Sequence, residues 1–76
     1  MKLFNRRLAV MILKSTSAYE LDQISYKSNS DSLTVWSNNI PGGSFIATNI
    51  IQLFTHPFSS YIDYNIEEKR CELKIF

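Results

Sequence analysis

With 76 residues and 45% hydrophobic content, the chain is sized for one folded domain spanning residues 1–76. A formal net charge of +1 argues against both a protein that grips duplex nucleic acid mainly through its phosphates and an acidic mimic of nucleic acid. The lone cysteine, Cys71, cannot form an internal disulfide, and with the lone histidine, His56, it cannot complete a four-ligand zinc site, so no metal and no cofactor are expected.

The N-terminus starts basic, with Lys2, Arg6 and Arg7, and then runs apolar over residues 8–13. That imitates a secretory leader, but the run stops at Lys14, short for a leader and far too short to span a membrane. A cytoplasmic protein with no membrane association is expected. A short continuous apolar run between charged flanks reads as a strand covered on both faces, central in a sheet; periodicity alone leaves a short buried helix open, and length favours the strand.

Two readings compete for the next segment. Ser17 followed by Glu20 fits a capping box, which would start a short helix over residues 18–23. Residues 24–27 and 32–36 flank the turn-rich Ser28, Asn29, Ser30 and Asp31, which predicts a hairpin with Tyr26 opposite Leu33 and Ile24 opposite Val35. The hairpin is the stronger reading because it puts both apolar pairs on one face. A helix feeding it remains compatible.

Pro41, Gly42 and Gly43 form the main break in the chain. Ser44 suits an N-cap and Pro57 a stop, so residues 44–55 are predicted to be the one helix, with Ile46, Ile50, Leu53 and Phe54 on its buried face. Beyond it, Ile62, Tyr64 and Ile66 alternate, as do Cys71, Leu73 and Ile75, about a charged turn of Glu67, Glu68, Lys69 and Arg70. This predicts a second hairpin, its competitor being a helix over residues 67–76 capped by Asn65. The expected fold class is α+β: an antiparallel sheet of about five strands in the order β-β-β-α-β-β, with one helix packed on a face. A chain this short buries only about 60% of its unfolded surface, so a homo-dimer or higher oligomer is expected as well. Small proteins of phages and other mobile elements often have this design, an analogy of size that carries no function.

No catalytic constellation stands out. His56 lacks an identifiable nucleophile or acid partner, and the carboxylates do not pair recognisably. Gly42, Gly43 and Ser44 could offer free N–H groups to an anion, although the same residues serve to turn and cap the chain. The leading expectation is a non-enzymatic protein-binding module, an inhibitor or regulator of a larger macromolecule, using Trp36, Tyr26, Phe58 and Tyr61 as partner-binding residues. The alternative is a small RNA- or single-strand-binding protein whose basic face comprises Arg6, Arg7, Lys14 and Lys27.

Overall fold

The computed structural model describes residues 4–16, 23–38, 54 and 58–76. Within them the chain forms α1 (Arg6–Lys14), β1 (Ile24–Ser28), β2 (Leu33–Ser37), β3 (Ser60–Asn65) and β4 (Arg70–Ile75). The four strands make one antiparallel sheet in the order β1-β2-β4-β3, and the helix is N-terminal to all of them.

The first apolar run is therefore helical, which corrects the expected central strand. Asn5 caps it: its Oδ1 accepts the Leu8 N–H at 3.0 Å, satisfying one of the donors that every helix start leaves free. Lys14 in the last turn suits the negative end of the helix dipole, and the Ser15 hydroxyl donates to the Ile12 carbonyl at 2.7 Å. Ala9 and Leu13, one helical step of four apart, are fully buried, while Met11 on the far side is 62% exposed. The helix lays the Ala9–Leu13 stripe across β2, with Phe4, Leu8, Val10 and Ile12 packed around it.

The two predicted hairpins form, each with a small correction. Tyr26 pairs with Val35 and Ile24 with Ser37, so the first hairpin slips by two residues, and its loop is Asn29–Ser32 in place of 28–31. The slip is even, so Ile24, Tyr26, Leu33 and Val35 keep their shared face. Asn29 fixes this loop, its Oδ1 accepting the N–H groups of Asp31 and Ser32. In the second hairpin the turn comprises residues 66–69, and Arg70 opens β4 opposite Asn65 instead of ending the turn. The competing helix over residues 67–76 is thereby excluded.

The central pair, β2 with β4, sets Leu33 opposite Ile75 and Val35 opposite Leu73, and all four side chains are fully buried. Phe54 and Phe58 complete this core, with Phe58 packed between Phe4 and Phe54 at ring separations of 5.6 and 6.1 Å. The predicted helix over residues 44–55 lies outside the described residues except for buried Phe54, as do the alternative helix over residues 18–23 except for Gln23, His56, and the anion-site candidates Gly42, Gly43 and Ser44. Among the described residues, no helix is long and apolar enough to cross a membrane.

Candidate functional site

Alternation along the strands gives the sheet two unlike faces. The residues between the core positions point the other way: Lys27 on β1, Thr34 and Trp36 on β2, Arg70, Glu72 and Lys74 on β4, and Tyr61 and Asp63 on β3. Register sets Lys27, Thr34, Lys74 and Tyr61 in a row across the sheet. No described element packs on this face. It holds an open groove of about 530 Å³ lined by Trp36, Tyr61, Arg70, Glu72, Lys74 and Phe76, among others.

Glu72 organises the groove. Its carboxylate is only 2% exposed and is held by Arg70 Nε at 2.8 Å, Lys74 Nζ at 3.1 Å and Asn65 Nδ2 at 3.3 Å. Burial pushes its pKa up, but the hydrogen bonds from Arg70, Lys74 and Asn65 and the charge of Lys74 outweigh it and hold the group below the ordinary carboxylate value. Arg70, fixed by Glu72, lies over Trp36 with its guanidinium carbon 3.6 Å from the ring centroid. At the other end Tyr61 and Phe76 stack at 5.6 Å, about half exposed. The cations Lys27, Arg70 and Lys74 along the groove are matched by the carboxylates Glu67, Glu68 and Glu72.

The expected site residues that are described divide among four places. Trp36 and Tyr61 share the open face, as does Lys27. Phe58 is a core residue, 8% exposed, so it offers little surface to a partner. Tyr26 lies on the core side beside the first turn of α1, where Arg6, Arg7, Val10, Tyr26 and Ser28 line a second groove of about 410 Å³. Lys14 is exposed at the opposite end of α1, about 12 Å along the helix from Arg6, so the structure does not gather the four cations onto one surface.

The sequence singles out neither Glu72, Lys74 nor Phe76 as site residues, and it offers Arg70 only as a turn residue or as a partner for His56 in a minimal ribonuclease. Their signal was present, because they alternate with Cys71, Leu73 and Ile75 and so must share the face opposite the core. Among the described residues, no group of three or more His, Cys, Asp or Glu side chains could hold a metal ion. Compared with known proteins, the chain matches no family model, no curated protein and no solved structure.

Proposed function

We propose that the protein is a non-enzymatic binding module that docks a larger protein on the open face of its sheet, acting as an inhibitor or regulator of that target. The observation that carries this reading is the gathering of Trp36, Arg70 and Tyr61, the residue types that dominate binding hot spots, along one groove. Charge balance in the groove favours a protein over a polyanion, because the cations Lys27, Arg70 and Lys74 are matched one for one by Glu67, Glu68 and Glu72. Glu72 holds the cations in place before a partner arrives, which lowers the ordering cost of binding. A docked domain of 8.8 kDa acts by what it covers, which is the sense of inhibitor or regulator.

The test is capture from native lysate on the tagged chain, with and without nuclease, using wild type and the double variant Tyr61→Ala with Phe76→Ala. A protein that remains after digestion and is lost with the variant supports the reading. Equal capture by the variant removes the open face as the docking surface.

A second reading rests on the other groove, where Arg6 and Arg7 flank Tyr26. Two cations beside an aromatic ring suit a single-stranded nucleic acid, through phosphate contact and base stacking. It predicts binding that weakens steeply with salt and falls with Arg6→Ala plus Arg7→Ala; binding indifferent to salt removes it.

A further inference from the structure

The outer edge of β3, which no other described strand pairs with, has a geometry that goes beyond the docking face. Ser59 and Phe76 exchange both backbone hydrogen bonds, at 3.2 and 2.9 Å. In an antiparallel ladder such pairs alternate with pairs that exchange none. Tyr61, Asp63 and Asn65 therefore turn their N–H and C=O groups toward β4, and Ser60, Ile62 and Tyr64 turn theirs outward, away from the sheet.

Natural sheets blunt such an edge with proline, charged side chains, a bulge or a covering element, and the one charge on β3 is that of Asp63. β3 has no proline or lysine, and its register to β4 runs without a bulge from Ser60 to Asn65. Its apolar side chains are open as well: Tyr61 is 51% exposed, Ile62 39% and Tyr64 55%.

The edge is self-complementary in one register. Opposed residues of an antiparallel pair share a face, so two copies of β3 related by a twofold axis must centre on a residue and not between residues. Centring on Asp63 would set its carboxylate directly against that of the second copy, at the closer spacing of a non-hydrogen-bonded pair, about 4.5 Å between Cα atoms. Centring on Tyr61 would leave Tyr64 unpaired by the second strand. Centring on Ile62 avoids both: Ile62 pairs with Ile62 of the second copy, Ser60 with Tyr64 and Tyr64 with Ser60. Every outward N–H and C=O on the strand then has a partner. On the open face Asp63 falls opposite Tyr61 of the second copy.

We infer that the chain forms a homodimer by antiparallel pairing of β3 with β3 about Ile62, which joins the two sheets into one continuous sheet. The occupant of this edge is a second copy because the strand's outward backbone groups, its side-chain exposure and the position of its one charge all fit its own inverted image. The open faces of the two copies then lie on the same side of the joined sheet.

Sedimentation equilibrium of the full chain, over roughly micromolar to millimolar concentration, tests this directly. Wild type is expected to approach twice the 8.8 kDa chain mass. Ile62→Lys puts two cations against each other at the twofold axis, and Ile62→Pro removes an outward N–H while leaving the β4 ladder its bonds. Both are expected to be monomeric with unchanged far-UV circular dichroism, and the lysine variant decides the matter if the proline variant unfolds. A wild-type monomer throughout the range, or a dimer that survives Ile62→Lys, overturns the inference. Capture of a partner on the open face is read separately, through Phe76→Ala alone, because Phe76 lies outside β3.

Discussion

Arg70 lies over Trp36, its guanidinium carbon 3.6 Å from the ring centroid, while Glu72 holds the same guanidinium at 2.8 Å. The cation thus shields the indole from water on one side. Arg70→Ala is expected to shift Trp36 fluorescence to longer wavelength and to cost about 1 kcal/mol. Arg70→Lys keeps the charge beside Glu72 but replaces the guanidinium over the ring with a more strongly hydrated ammonium, so its emission should still be shifted. Unchanged emission in both variants would mean that the stack does not form in solution.

Stability should fall in acid because of Glu72. Its folded pKa lies below the ordinary 4.5, so its contribution is fully present above that value and is lost as pH falls through it toward the lower folded pKa. Glu72→Gln is expected to flatten this acid limb and to cost about 1–2 kcal/mol at neutral pH. Urea unfolding across the acid range reads both effects; a variant with the wild-type pH slope would show that another group carries the dependence.

Lys69 has φ 55°, the left-handed region, at the last turn position before β4. The turn is held at its start by Asn65, whose Oδ1 accepts the Glu68 N–H at 2.9 Å, so Lys69 must adopt this conformation to reach Arg70 in register. Lys69→Gly should remove the steric cost and raise stability by about 1 kcal/mol, whereas Lys69→Val should lower it. Thermal melts of the two variants should bracket the wild type.

Helical α1 makes a prediction that a strand would not. Asn5→Ala should cost about 1 kcal/mol through loss of the cap, and Asn5→Asp or Asn5→Ser should recover most of it. Leu13→Ala, which empties a fully buried site against β2, should cost about 2–5 kcal/mol. An Asn5→Ala variant as stable as wild type would contradict the capped helix.

What the sequence disclosed was the alternation, and what it concealed was anything set by tertiary packing. Both hairpins were readable because Ile24, Tyr26, Leu33 and Val35, and then Leu73 and Ile75, recur every second residue. The first register was misjudged because Asn29 accepts from its own loop, which moves the turn on by a residue at each end. Residues 8–13 are apolar at every position, so periodicity could not separate a strand from a helix, and the decision fell to the Asn5 cap and to the sheet that buries Ala9 and Leu13. Trp36 and Tyr61 were expected at a binding surface and share a groove. Phe58 looked the same in sequence, but it fills the space between Phe4 and Phe54.

The strand order has a consequence for how the chain is made. β4 is the last of the four strands in sequence, yet it sits inside the sheet, and β3 reaches β2 only through it. While the polypeptide emerges N-terminus first, α1 and the β1–β2 hairpin can meet early, but β3 lacks its one partner among the described strands until β4 has cleared the ribosome. Folding of this sheet must therefore follow synthesis of residues 70–75, and a nascent chain stalled before Arg70 leaves β2 and β3 both with bare edges for chaperones or other chains to find.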